Sequence, residues 1–545
     1  MTSPLDEHAN GESAAEQHPR ATAGETPAAD ATSPTPGDDS ATTGQQPVIE
    51  EQPDSETHGE TSETVTRRTM LRAGLLAAGG LVLGGAGGFA LGHRVGRSGS
   101  APTAVDGQPL PVPADVSVSF PIGITADRRG FVDAHGSTFH YVADTAWNAI
   151  SRLNDEDFEI LATSRRERGF TALQMSLLDF WPANRNVSGH APFAATGALD
   201  RPLVSAREDD YWKHVDRCLD TCDRLGLVAC LVPAWYGGFG DSWRGYLTTQ
   251  NVATYAEFLA ERFGGRSNVW WLLGGDNVPT ADGNAVAGVP GDLDRGPRVE
   301  HTNIIGNTLF NESAVTPLMT YHTARHETVT EIFGGEEWYQ IAAAYSGTDP
   351  VPAVTTEYAR EPVRPVVLIE AYYDQRETTP ILDRRTLRAQ AYHSFLSGAA
   401  GYSYGHTLVW PVADGWKEAL DAASARDITT LSTVLRTFAD GPLEPVSEHD
   451  GSARLLPTDY YSAEGGTGTT TAALLPEGAG AIAYFGEPRD SVDINTTALD
   501  PEAEFNISWV DPSTSQQFFV GGRSGKRITV NWPSPWRDAL LVLHR

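Results

Sequence analysis

The sequence predicts a (β/α)8 TIM barrel followed by a small antiparallel β-sandwich, and three observations carry that prediction. Eight short apolar runs alternate with amphipathic stretches over about 300 residues, the rhythm of repeated βα units around a parallel sheet. No Gly-rich dinucleotide fingerprint follows the first run, which argues against an open doubly wound sheet. After about Gly441 the texture changes to short alternating runs separated by Gly, Thr, Pro and Asp, which is sandwich texture.

Residues 1–65 are rich in Ala, Thr, Gly, Pro, Glu and Asp with almost no large apolar side chains, so they cannot offset the entropy of folding and are expected to be disordered. Residues 66–97 open with Thr66-Arg67-Arg68-Thr69-Met70-Leu71-Arg72 and continue as a Gly- and Ala-rich apolar run, Ala73 to Gly92. Paired arginines before a weakly hydrophobic segment resemble a twin-arginine export signal. An apolar run of about 20 residues can also cross a bilayer, so a membrane tether over 73–92 is the alternative; the glycines lower its hydrophobicity and favour the twin-arginine reading. Ala101-Pro102-Thr103-Ala104 makes a poor processing site. Both readings export the remainder of the chain, to a secreted or extracytoplasmic, membrane-anchored location.

Residues 98–120 read as a Pro-, Ala- and Val-rich linker of low order. The catalytic domain is expected over 121–440. It begins with a hairpin of Gly130-Phe131-Val132 and Thr138 to Val142. Its strands are expected at Phe139–Ala143, Ala172–Leu177, Val228–Pro233, Val269–Leu273, Leu318–Tyr321, Ala342–Tyr345, Val366–Ile369 and Gly401–Tyr404. Helices over Asp155–Arg168 and Asp209–Leu225 start with acids and end at Gly169 and Gly226. In the second, Tyr211, Val215, Leu219 and Cys222 recur at helical spacing and should face the sheet. The sandwich, 441–545, holds the runs Ala481–Phe485, Phe505–Val510, Arg527–Val530 and Ala539–Leu543.

The formal net charge of -31 and pI of about 4.8 exclude nucleic acid as a partner, because phosphate binding needs a basic surface. Three cysteines, Cys218, Cys222 and Cys230, make no disulfide framework and no CxxC metal spacing, and read as buried thiols. No metal and no cofactor is expected.

Residues just beyond barrel strands line the mouth where such enzymes work. Asp276 follows Val269-Trp270-Trp271-Leu272-Leu273-Gly274-Gly275, and Glu370 follows Val366-Val367-Leu368-Ile369. A lone acid there is often a helix cap; two in matching settings suggest an acid and a base or nucleophile. The other strand ends supply Asp144, Trp147, Trp181, Trp235, Tyr236, His322, Tyr373, Tyr404 and His406, the candidates for substrate binding. Aromatic faces stack on sugar rings while carboxylates and His bond hydroxyls, so the collection reads as a carbohydrate cleft. Glu357 reads as a solvated loop acid. The two glycines before Asp276 are explained equally by close approach to substrate and by tight packing of the rim.

Five motifs in order, Asp144-Thr145-Ala146-Trp147, Leu273-Gly274-Gly275-Asp276, Thr320-Tyr321-His322, Ile369-Glu370-Ala371-Tyr372-Tyr373 and Gly401-Tyr402-Ser403-Tyr404-Gly405, resemble the apiosidase-like glycoside hydrolases (family 140, the DUF4038 group). The resemblance runs from about Phe131 to Trp410. Ser508-Trp509-Val510-Asp511-Pro512 also resembles the sandwich that comes after this domain in relatives, labelled collagen-binding. The resemblance implies a retaining glycosidase with its acid/base on the fourth strand and its nucleophile on the seventh, matching Asp276 and Glu370. The strand count places the same two residues there. The sequence departs from the family at Asp374 and at Tyr345-Ser346-Gly347-Thr348.

The reading is an exported glycoside hydrolase acting on a plant or bacterial oligo- or polysaccharide. Its alternative is a non-catalytic exported carbohydrate-binding or adhesion protein, which possession of both acids disfavours. A metallopeptidase lacks any HExxH pattern.

Overall fold

The computed structural model describes residues 107–111, 117–237, 241–286, 288–375, 382–446, 454–460, 466 and 468–545. The disordered tail and the export or anchor segment expected over 1–97 lie outside them.

Eight parallel strands form the barrel: β1 (Tyr141–Thr145), β2 (Ala172–Ser176), β3 (Val228–Val232), β4 (Val269–Asn277), β5 (Met319–Thr323), β6 (Ala342–Tyr345), β7 (Val366–Glu370) and β8 (Ala399–Tyr404). They run in the order β5-β4-β3-β2-β1-β8-β7-β6. The seam between β5 and β6 is bridged by Gln340 N–H and Ile341 N–H on the Met319 carbonyl at 3.1 and 3.2 Å, and by Thr320 Oγ1 on the Ile341 carbonyl at 2.8 Å. Strand β1 begins two residues later than its sequence suggests, because Thr138–Phe139 is used by a three-stranded antiparallel sheet with Gly123–Ile124 and Phe131–Val132. That sheet stoppers one end. Phe131 and Tyr141 meet Trp270 inside the barrel at ring distances of 5.0 and 5.1 Å.

Alternation along each strand sorts its side chains into two layers. Tyr141, Ala143, Val228, Cys230, Val232, Trp270, Leu272, Val367 and Ile369 fill the interior. The opposite set packs on helices such as α1 (Asp155–Glu167) and α2 (Tyr211–Arg224). Asn154 caps α1 by accepting from Asp157 N–H, and Asp210 caps α2 by accepting from Lys213 N–H. In α2 the predicted stripe of Tyr211, Val215, Leu219 and Cys222 is buried. All three cysteines are buried and free.

The sandwich is a six-stranded antiparallel sheet facing a two-stranded one. Chain order gives β9 (Glu444–Val446), β10 (Thr470–Leu474), β11 (Gly480–Phe485), β12 (Ser491–Asn495), β13 (Phe505–Val510), β14 (Gln517–Arg523), β15 (Arg527–Asn531) and β16 (Ala539–His544). The pair β12–β15 covers the large sheet with Val492, Ile494, Ile528 and Val530 against Phe485, Ile507, Trp509 and Leu541. The other face of the large sheet offers Ile482, Tyr484, Leu540 and Val542 to barrel helices α3 (Arg384–Leu396) and α4 (Ala423–Phe438). Part of the expected linker is ordered against this domain. Gly107 N–H donates to the Gln517 carbonyl at 2.9 Å, Gln517 N–H to the Gln108 carbonyl at 3.0 Å, and Leu110 is buried.

An ion cluster crosses the junction between the two domains. Arg388 of α3 donates to both carboxylate oxygens of Asp538 at 2.7 Å, and Tyr484 to Asp538 at 2.9 Å. Asp427 of α4 accepts from Arg384 at 2.8 Å and from Arg388 at 3.3 Å. Removing one partner of a buried pair strands the other, at a cost of about 3–5 kcal/mol. R388M is therefore expected to uncouple the domains, and calorimetry should show one cooperative transition becoming two; an unchanged single transition would refute a locking role for this cluster.

Candidate active site

Of all the residues in the eight barrel strands, Asp276 alone is only partly buried, the others being fully so. The cause is local. Strand β4 stays in register with β5 as far as Gly274 opposite His322, then resumes at Asn277 opposite Thr323, so Gly275 and Asp276 bulge out of the ladder. Gly274, Gly275 and Asp276 have φ of 85°, 132° and 32°. A Cβ on Gly274 would fall 2.3 Å from the Tyr321 ring, and one on Gly275 2.6 Å from the Trp235 ring. Packing of the rim therefore explains both glycines. Asp276 itself holds a left-handed conformation that Asp tolerates better than most residues, the kind of strain that gathers at working sites.

Glu370 ends β7 almost fully buried, with both oxygens engaged. Tyr345, at the end of β6, donates its hydroxyl to Oε1 at 2.8 Å, and His322 of β5 meets Oε2 through Nε2 at 2.9 Å. The other nitrogen of His322, Nδ1, lies 3.2 Å from Asp276 N–H and 3.1 Å from the Thr323 carbonyl. A neutral ring accepts the first and a protonated ring donates to the second. Burial alone would lower the His322 pKa, but the hydrogen bond and charge of Glu370, with the charge of Asp276, hold it above the ordinary value. Asp276 is pushed up to about 6, first by burial and then by the charge of Glu370; His322, Arg325 and the Tyr345 hydroxyl oppose the rise. One oxygen of Asp276, one of Glu370 and a nitrogen of His322 lie within 4.8 Å of one another. Two acids in unlike surroundings share one pocket.

Aromatic rings wall this pocket. Trp147 donates its indole N–H to the Tyr373 hydroxyl at 2.7 Å and sits 4.7 Å from Trp235 and 5.4 Å from His322. Trp235 is 4.7 Å from His322, and Phe180 bridges Trp235 and Trp410 at 5.3 and 5.7 Å. Trp147, Trp235, His322 and Tyr373 thus gather around the acids. Trp181, 37% exposed, stands beside Phe180 with its N–H held by Asp179 at 3.0 Å.

Four candidates point elsewhere, and strand alternation is the reason. Asp144 follows the inward Ala143, so it faces the helices, fully buried and 2.5 Å from Arg165. Tyr404 bonds Ser424 at 2.8 Å in the same outer layer, and Tyr236, one residue past the inward Trp235, bonds Thr302 at 2.6 Å. His406 is also fully buried, its Nδ1 accepting from Leu408 N–H at 3.1 Å and its Nε2 lying 3.8 Å from Asp374. Glu357 is no solvated acid: it is buried and accepts from Thr328, Thr330 and Arg360 at 2.5, 2.6 and 3.0 Å. Two residues of the site escaped sequence reasoning, Tyr345 and Arg325. The first stood at a strand end but read only as a departure from a motif; the second lies beyond β5 in a loop with no pattern.

The raised Asp276 pKa carries a sign. With a folded value of about 6 against an ordinary 3.8, the native state keeps a proton that the unfolded chain releases. Its stabilising contribution is complete below pH 3.8 and is lost as pH rises through about 6. D276N is expected to melt higher than the parent at pH 7.5, by the equivalent of about 1–3 kcal/mol, with the two converging near pH 3.5. Equal melting temperatures at both pH values would contradict the charge repulsion described here.

The comparisons agree with this fold. The sequence pattern described as "Apiosidase-like, catalytic domain" matches residues 125–439. A solved structure described as a glycoside hydrolase superposes with a TM-score of 0.66 at 18% identity, covering 78% of this chain and 98% of the other. A family 5 glycoside hydrolase from Bacteroides vulgatus gives 0.66 at 19% identity, covering 78% and 95%. A third structure, from the same organism, gives 0.59 at 15% identity, covering 79% and 84%. At these identities the likeness concerns the fold. The search of curated proteins returned no match. The family pattern spans more than half of the sequence, and the chain belongs to the apiosidase-like family and is a glycoside hydrolase.

Proposed function

We propose that the enzyme cleaves its glycosidic bond with retention, Glu370 serving as nucleophile and Asp276 as acid/base. The observation that carries this reading is the spacing of the two acids: a carboxylate oxygen of Asp276 lies within 4.8 Å of one of Glu370. Retaining enzymes hold their carboxyl groups about 5–5.5 Å apart and inverting ones about 6.5–9.5 Å. In the first step a Glu370 oxygen attacks the anomeric carbon, the bond to the leaving oxygen breaks, and that oxygen takes the Asp276 proton. In the second, Asp276 takes a proton from water, whose oxygen attacks the anomeric carbon and displaces Glu370.

The surroundings suit these roles. His322 and Tyr345 hydrogen-bond the two oxygens of Glu370 and so hold the carboxylate in place for attack. Burial and the neighbouring charge keep a proton on Asp276 at mildly acidic pH. Trp147, Trp235 and Tyr373 offer the flat and polar surfaces on which a sugar seats. The twin-arginine segment supports export to a place where plant or bacterial polysaccharide is met.

Glu370→Ala is expected to abolish turnover, and Asp276→Ala to lower kcat by about 10²–10⁴-fold while both proteins stay folded. Proton NMR of the first product should show the substrate's anomeric configuration, and inversion would remove the assignment of Glu370 as nucleophile. Activity should survive a chelator. The pH profile of kcat/KM should fall as pH rises through about 6, the value for Asp276; a falling limb that stays in place in Asp276→Asn would assign it to another group.

A further inference from the structure

Arg325 lies two residues beyond β5, with its guanidinium at the edge of the pocket. It donates from Nη2 to the Tyr345 hydroxyl at 3.3 Å and rests 5.4 Å over the Tyr345 ring and 4.8 Å over that of Tyr372. Among the described residues it forms no ion pair with a carboxylate, unlike Arg165 and Arg388. Its Nε is buried without a hydrogen-bond partner. The phenol that it holds is the one whose hydroxyl donates to Glu370 Oε1 at 2.8 Å.

Building on the roles proposed for Glu370 and Asp276, we propose that Arg325 is a positioning residue that locks the Tyr345 phenol onto Glu370. A phenol on a strand end can swing about two side-chain bonds, and an off-line donor loses most of its hydrogen bond. The cation fixes it twice, by a hydrogen bond at the oxygen and by its place over the ring face. Arg325 thereby acts on the nucleophile without touching the sugar. Its charge also bears on the acids: it lowers the Asp276 pKa, and its own pKa is held up against burial by Tyr345 first, then Tyr372 and Glu370. The groups facing this spot are Asp276 from β4, His322 and Arg325 from β5 and its loop, Tyr345 from β6, and Glu370, Tyr372 and Tyr373 from β7 and its loop.

The test uses the full chain and a 4-nitrophenyl glycoside that the parent hydrolyses, with Glu370→Ala as the control. R325M should lower kcat about 10- to 100-fold with KM within about 3-fold, the scale of a misplaced catalytic group. R325K should restore most of that loss, and the falling limb of the pH profile should move upward in R325M. Because Arg325 acts through Tyr345, adding R325M to Y345F should cost no more than about 2-fold further. A raised KM with unchanged kcat, a lysine variant as poor as methionine, or fully additive losses would overturn the proposal. A crystal structure of R325M gives a readout free of substrate: Tyr345 should move out of hydrogen-bond distance of Glu370, and an unmoved phenol refutes the proposal. Should Glu370→Ala keep its turnover, the assignment of the nucleophile fails instead, and the crystal structure still decides the role of Arg325.

Discussion

Two carboxyl groups at the mouth of a barrel, an oxygen of one within 4.8 Å of an oxygen of the other, make the constraint around which the rest of the site is arranged. Left alone, such a pair would share one negative charge between two equivalent acids. The protein breaks the equivalence by unequal wiring. Glu370 receives a phenol and an imidazole, whereas Asp276 receives burial and a neighbour's charge. One position is thereby suited to an anion and the other to a proton carrier.

Holding that asymmetry requires a rigid frame, and the strands supply it. Asp276, His322, Tyr345 and Glu370 stand at the ends of four strands, β4 to β7, so their spacing is set by the barrel ladder rather than by loops. The bulge at Gly275–Asp276 breaks that ladder beside the first acid, and a register shift between Leu368 and Glu370 breaks it beside the second. The bulge lets Asp276 leave the buried wall and face the pocket, while Trp235 and Tyr321 lie so close to the glycines that the bend has no room to relax. Two indoles 4.7 Å from one another, and 4.7 and 5.4 Å from the imidazole, make the surroundings apolar, where each charge acts more strongly.

The sandwich packs against the helices on either side of β8. Its sheet covers helices α3 and α4, which flank β8, and the Arg388–Asp538 pair joins the two cores. Residues 107–110 add a further strap to the same domain. The accessory domain is thus part of the barrel's outer wall.

Period and punctuation along the chain were enough to reveal eight βα units, the sandwich after Gly441, and the two acids at the ends of the fourth and seventh strands. These are local signals: alternation, caps such as Asn154 and Asp210, and the glycines that close helices. The direction of each mouth residue was not legible, since it depends on the strand's own parity and on any bulge within it. Asp144 and Tyr404 fell to the helix side, while the bulge carried Asp276 inward. The partners of Glu370 were beyond reach as well, because Tyr345, His322 and Arg325 come from separate units that only barrel closure brings together. Which residues could do chemistry was written in the chain; which of them share a pocket was decided by the tertiary structure, because contacts between non-adjacent strands carry no trace in the sequence of either.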